Sequence, residues 1–193
     1  MLELKSKILL ASKSPRRRQL LTDAGIEYQI VDIHCDEDFP RELQREEIAT
    51  FLSELKSKHY EQSVNSGEIL LTADTIVWCA GEVLNKPADH EEAVQVLSKI
   101  SGTNHEVITG VSLRSADRTH TFSETTEVHF RKLSREEIDH YIEHEHPFDK
   151  AGAYGIQDWI GKVGIDRING CYYNVVGLPL ARLISELHKF EGA

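Results

Sequence analysis

The run Ile69-Leu70-Leu71-Thr72-Ala73-Asp74-Thr75-Ile76-Val77-Trp78 limits the possible folds more than any other stretch of this chain. It is a nearly continuous apolar segment with the length and composition of a strand covered on both faces, so layers must pack on either side of it. One carboxylate interrupts it. An unpaired buried carboxylate is costly, so Asp74 is either ionised against a cation or metal, hydrogen-bonded as a structural cap of a neighbouring loop, or placed where the strand meets a cleft. The turn Ala80-Gly81-Glu82 then sends the chain back through Val83 and Leu84 as a hairpin, toward Asn85-Lys86-Pro87.

A second stretch, Ile8 to Leu21, reads as a short buried strand, a polar turn and a helix that opens at Pro15 with Ser14 as its N-cap. Arg16, Arg17 and Arg18 fill the first helical turn, at the positive end of the helix dipole, where carboxylates are normally favoured. With the hydroxyls of Ser12 and Ser14 and the open N–H groups, this turn suits a phosphate. A solvated basic turn is the alternative.

The remaining segments follow in order. The first helix is expected to stop at Gly25, and Tyr28 to Ile33 alternates as a strand before the acidic loop Asp36-Glu37-Asp38, which suits either solvent or a cation. A helix from about Glu42 to Tyr60 has Ile48, Phe51, Leu52 and Leu55 on its apolar side, with Lys56 beside them. Asp89 and Glu92 have capping-box spacing ahead of a helix through Ile100, and Ser134 and Glu137 repeat that spacing. Between these helices, His105–Leu113 and Thr119–Phe130 are expected to form an antiparallel pair. His140, His144 and His146 lack the intervening glutamate of a helical zinc motif, which makes a metal site there a poor reading. In Lys150-Ala151-Gly152-Ala153-Tyr154-Gly155-Ile156-Gln157 the small residues allow close backbone approach to a ligand, and Lys150 and Gln157 supply a charge and an amide. A last strand is expected over Tyr172–Val176, and a closing helix after Pro179.

Composition narrows the function. A formal net charge of −10 on 193 residues disfavours nucleic-acid polymers and anionic membranes, so any phosphate recognition must come from a local cluster acting on a small ligand. Neither a phosphate-binding P-loop nor a dinucleotide fingerprint occurs. Cys35, Cys79 and Cys171 are widely spaced and odd in number, which fits a reducing cytoplasm better than a disulfide framework. The charged, short-run N-terminus is not shaped like a secretory signal, and no apolar run is long enough to span a bilayer, so a cytoplasmic protein is expected.

Several short stretches are found in a single order: Ser12-x-Ser14-Pro15-Arg16-Arg17 with Leu20-Leu21, Glu37, Lys56, Ala73-Asp74-Thr75-x-Val77, Lys86-Pro87, Ser101-Gly102 with His105, Lys150 to Gln157, and Asn174-Val175-Val176-Gly177-Leu178-Pro179. Together they resemble the Maf family of nucleoside triphosphate pyrophosphatases. The resemblance implies an α/β fold in which a mixed elongated sheet is flanked by helices, akin to inosine triphosphatases, with two lobes around a cleft and a single domain over residues 1–193. It implies hydrolysis of dTTP and UTP between the α and β phosphates, giving monophosphate and pyrophosphate, with a divalent cation such as Mg²⁺ or Mn²⁺. A role in clearing noncanonical nucleotides also follows, and a homodimer is left open, although the sequence itself shows no interface.

Under that resemblance Asp74, with the metal and Glu37, activates the water, while Arg17, Lys56 and Lys86 hold phosphates. Ser12, Ser14 and Lys150 complete the substrate contacts. Arg16, Thr75 and Gln157 match the specificity positions and carry the residue types of the dTTP/UTP branch, the Gln157 amide being suited to the edge of uracil or thymine. Ser57 departs from the alanine usual after the helix lysine. Two alternatives remain: a pyrophosphatase for methylated GTP, and a nucleotide-binding regulator of septum formation without turnover. The pair Asp74 and Glu37 favours an enzyme, because carboxylates beside phosphates repel them unless a metal intervenes.

Overall fold

The computed structural model describes residues 4–192. Strand β1 (Lys7–Leu10) leads through helix α1 (Pro15–Asp23) to β2 (Tyr28–Ile30), which pairs parallel to it with Ile8 opposite Tyr28. After α2 (Glu46–Lys58) comes the long apolar strand β3 (Glu68–Cys79), parallel to β1 on its other side with Ile8 opposite Ile69. The expected hairpin is present: β4 (Glu82–Val83) pairs antiparallel to the end of β3, with Ala80 and Gly81 at positive φ in its turn. Helix α3 (His90–Ile100), strands β5 (Asn104–Arg114) and β6 (Thr119–Phe130) and helix α4 (Arg135–Glu145) follow. The chain ends with α5 (Trp159–Gly164), β7 (Ile165–Asn169), α6 (Tyr172–Val176) and α7 (Leu180–Gly192). Among the described residues, seven strands form one open mixed sheet in the order β2-β1-β3-β5-β6-β7, with β4 attached to β3.

The caps lie where the side chains predict them. Ser14 accepts from Arg17 N, Asp89 from Glu92 N, and Ser134 makes the full reciprocal box with Glu137. Three boundaries differ from expectation. Helix α2 begins at Glu46 instead of Glu42, because Arg45 has φ 48°, a left-handed conformation that interrupts any helix running in from Pro40. Strand β2 stops at Ile30, and Val31 and Ile33 instead pack on a cluster of Leu9, Ala11, Tyr60, Val64 and Leu70. Tyr172–Val176 is helical, and the strand of this region is the preceding, more polar Ile165–Asn169. Two adjacent exposed tyrosines and the positive φ of Gly170 and Gly177 bracket a short helical turn, whereas a strand would send Tyr172 and Tyr173 to opposite faces.

The chain divides into two compact units. The first holds the chain up to Asp74, Thr109–Glu124 and the chain from Gly177 on. Its core is built from Ile8, Leu10, Leu21, Ile48, Ile69 and Leu71, all fully buried, each contributing about 1.5–3 kcal/mol by removal from water. The second holds Thr75–Ile108 and Thr125–Val176. There the α3 stripe Ala93, Leu97 and Ile100 and the α4 stripe Ile138, Tyr141 and Ile142 are buried at helical spacing. No helix among the described residues is long and apolar enough to cross a membrane.

Candidate active site

In the first unit, helix α2 is held hard against the sheet. A Cβ on Gly110 of β5 would stand 2.1 Å from the Ala49 carbonyl oxygen, so only glycine lets the helix backbone rest on that strand. The buried Thr72 hydroxyl of β3 donates to Ser53 O at 2.7 Å, a second tie between strand and helix. Lys56, one turn beyond Ser53, thereby reaches Asp74. Its ammonium donates to Asp74 Oδ1 and pairs with Glu37 Oε1 at 2.7 Å. The Lys56 and Asp74 side chains are only 13% and 10% exposed, against 47% for Glu37, so the cluster has a largely buried floor and an open carboxylate rim. The costly carboxylate of the apolar strand is thus paid for by a cation from the facing helix.

The basic turn of α1 is partly accounted for by backbone. Arg17 donates through Nε to Gly177 O and through Nη1 to Ala73 O, each at 2.8 Å, fixing the residue before Asp74. Burial pushes its pKa down, opposed first by the Asp74 charge. Arg18 turns back to Lys13 O at 3.3 Å. Ser12 Oγ accepts from Ser14 N at 3.2 Å, and Arg16 lies half-buried in the same turn. Ser12, Ser14, Arg17, Glu37, Lys56 and Asp74 all belong to the first unit. Cys35 lies in the acidic loop before Glu37, its thiol pushed up by burial and pulled back by the Lys56 charge.

In the second unit, Thr75 is half-buried on β3 and Lys86 is exposed beyond β4. Lys150 Nζ pairs with Asp149 Oδ1 at 2.9 Å and lies 3.6 Å from Asp158 Oδ2. Gln157 is exposed at the tip of the turn that enters α5. The small residues before it serve the fold directly: Gly152, with φ 68°, lies so near β3 that a Cβ would meet Val77 Cγ2 at 2.9 Å. His140 packs against His144 with the rings tilted by 36° and their centroids 4.1 Å apart, and meets Trp159 edge-on.

The chemistry of the first cluster decides what it can hold. Two carboxylates and one ammonium carry a net −1 and would repel a polyphosphate unless more positive charge is supplied. Among the described residues no three His, Cys, Asp or Glu side chains are grouped to cage a metal ion. Asp74 and Glu37 carry hard oxygens of the kind a Mg²⁺-type ion takes, but the point on which they converge is held by the Lys56 ammonium, so an ion bound by both would have to displace it.

The sequence did not reveal the carbonyl tether of Arg17, the glycine contact at Gly110, or the Tyr141 hydroxyl that bonds Gly155 N and Asp158 behind the Lys150–Gln157 segment. Each joins residues far apart in the chain, and the only local hint is a glycine inside an otherwise strong strand pattern.

Comparison with known proteins identifies the family. The family model described as Maf-like protein matches residues 7–190. A protein of Phocaeicola vulgatus named dTTP/UTP pyrophosphatase is 47% identical over 186 residues, covering 96% of each chain. One of the same name from Cytophaga hutchinsonii is 49% identical over 182 residues, covering 94% of this chain and 83% of the other. Among solved structures, the Staphylococcus aureus Ham1 protein aligns with a TM-score of 0.44 at 16% identity, covering 65% of this chain and 72% of that one. With the family model spanning nearly the whole sequence and relatives this similar over 83% or more of their length, the chain belongs to the Maf-like protein family.

Proposed function

We propose that this protein hydrolyses dTTP and UTP at the α–β anhydride, releasing a nucleoside monophosphate and pyrophosphate. The observation that carries this reading is the convergence of Asp74 and Glu37 on the Lys56 ammonium, in a chain whose relatives are named dTTP/UTP pyrophosphatases. Asp74 is the general base: it takes a proton from the water that attacks the α-phosphorus, in line with the departing pyrophosphate oxygen. Lys56 holds the Asp74 carboxylate in one orientation and offsets the charge that grows on the leaving group. Glu37, on the exposed rim, assists. Ser12 and Ser14, the N–H groups of the α1 turn and Arg16 and Arg17 bind phosphate oxygens, and Lys86 and Lys150 add positive charge. Thr75, Arg16 and Gln157 set the preference for a pyrimidine, the Gln157 amide meeting the donor and acceptor edge of uracil or thymine.

The cofactor of this reading is a divalent cation, Mg²⁺ or Mn²⁺, held by Asp74 and Glu37. When bound it neutralises phosphate charge and acidifies coordinated water. Strands β3, β5 and β6 each contribute residues to both units, which supports treating the chain as one pyrophosphatase domain. Three free cysteines fit a cytoplasmic enzyme.

A panel of nucleoside triphosphates, assayed with purified protein and Mg²⁺ or Mn²⁺, tests the reading if monophosphate, pyrophosphate and orthophosphate are measured separately. Monophosphate and pyrophosphate from UTP and dTTP, with little from purine nucleotides, is the expected result. Preferential cleavage of methylated GTP would move the specificity to the other branch, and binding without turnover would leave a regulator.

A further inference from the structure

The segment that carries Lys150 and Gln157 is gripped from behind by Tyr141 of α4. Tyr141 is fully buried, yet its hydroxyl is completely used: it donates to Asp158 Oδ2 at 2.8 Å and accepts from Gly155 N at 3.2 Å. Burial and the Asp158 charge both push the phenol pKa up, so it stays a donor across the physiological range. Asp158 occupies the N-cap position of α5 but makes no capping bond there. Its carboxylate instead faces the Tyr141 hydroxyl and, at 3.6 Å, the Lys150 ammonium. It also lies across Gly155 so closely that a Cβ on that residue would meet Asp158 Oδ2 at 2.5 Å. The turn is closed by Asp158 N donating to Gly155 O at 3.1 Å, with Ile156 buried inside and Gln157 exposed at its tip. One residue upstream, the buried Tyr154 hydroxyl is fixed by His105 Nε2 at 2.8 Å. A phenylalanine would fill the Tyr141 site equally well for packing alone, and an aspartate kept only as a cap would make the cap.

We propose that Tyr141 and Asp158 are positioning residues for substrate selection: by clamping the Gly155–Asp158 turn they fix the backbone from which Gln157 presents its amide to the base, and so the distance and approach by which it distinguishes uracil from cytosine. The inference rests on Gln157 reading the base. Uracil and cytosine differ by an exchange of donor and acceptor on one edge, and an amide free to rotate satisfies both. Discrimination therefore depends on where the backbone carrying the amide is held as well as on the amide itself, because a displaced turn lets the amide meet either edge.

The test is steady-state kinetics on UTP and CTP with the full-length protein, for wild type, Tyr141→Phe, Gln157→Ala and the double variant, with Ile138→Val as a control in the same helix. Tyr141→Phe is expected to lower the UTP:CTP ratio of kcat/KM about tenfold, mainly through KM for UTP, while the control leaves the ratio unchanged. Because Tyr141 acts through Gln157, the double variant should match Gln157→Ala alone. Asp158→Asn, which keeps the side-chain volume, provides a second reading should Tyr141→Phe fold poorly, and it should lower the ratio in the same direction. An unchanged ratio in Tyr141→Phe or Asp158→Asn, when Gln157→Ala lowers it, overturns the positioning role. Additive losses in the double variant, or an equal shift in the control, overturn it too. An unchanged ratio in Gln157→Ala shows instead that the base is read elsewhere, which removes the underlying specificity reading and this inference with it.

Discussion

Replacing His105 with glutamine should flatten part of the acid limb of the protein's stability. The imidazole is 3% exposed, Nε2 meets the Tyr154 hydroxyl at 2.8 Å, and Nδ1 has no partner. Burial, helped by the charge of His129, pushes its pKa from 6.5 down to about 4. The folded protein therefore keeps this ring neutral at pH values where the unfolded chain protonates it. Between pH 6.5 and 4 the unfolded state binds the extra proton, so stability falls as pH falls, and below about 4 this group adds no further loss. The full linkage of such a shift is about 3 kcal/mol, of which about 2 kcal/mol is expressed between pH 7 and pH 5. Glutamine keeps an amide nitrogen near the Nε2 position and does not titrate. In urea unfolding at several pH values, wild type should lose about 2 kcal/mol more than His105→Gln on going from pH 7 to pH 5. The other histidines and the carboxylates are common to both proteins and cancel in that difference. A wild-type minus variant difference that stays flat over this range would refute the claim that His105 is held neutral.

Two further substitutions probe how the site is built. Gly110→Ala places a methyl group against the Ala49 carbonyl and must lift α2, with Lys56, off the sheet; a loss of about 3 kcal/mol or failure to fold is expected in thermal unfolding, and a wild-type melting profile would show that the helix does not rest there. Ser57→Ala removes a buried hydroxyl that has no hydrogen-bond partner, so stability should hold or rise by about 1 kcal/mol with UTP turnover unchanged, whereas a marked loss would mean the hydroxyl is satisfied in solution.

What could be read from the chain was local. The apolar run around Asp74 became the long buried strand, the Ser134 box and the Ser14 and Asp89 caps were made by the residues that predict them, and Asp74 needed a cation and found one. The sequence could not show that this cation would come from α2, since the pairing depends on Gly110 admitting the Ala49 backbone. Tyr172–Val176 was misread because its tyrosines and valines favour strands, while the segment's conformation is set by Asn174, whose buried amide donates to Val107 O and Thr126 Oγ1. Strand β7 was missed for the opposite reason: Ile165-Asp166-Arg167-Ile168-Asn169 is a polar edge strand whose two isoleucines are three apart, and its pairing with β6 shifts register between His129 and Phe130. The phosphate reading of the α1 turn gave no sign of the two carbonyls that the Arg17 guanidinium binds.

The most direct test of the central claim is the turnover of UTP by Asp74→Asn, measured beside its affinity for UTP in the presence of Mg²⁺. The substitution keeps the shape of the side chain and removes its basicity. A fall in kcat of about 10³-fold, with the protein folded and nucleotide binding largely retained, is the result the account predicts. Turnover close to that of wild type would contradict it, because a different group would then have to activate the water.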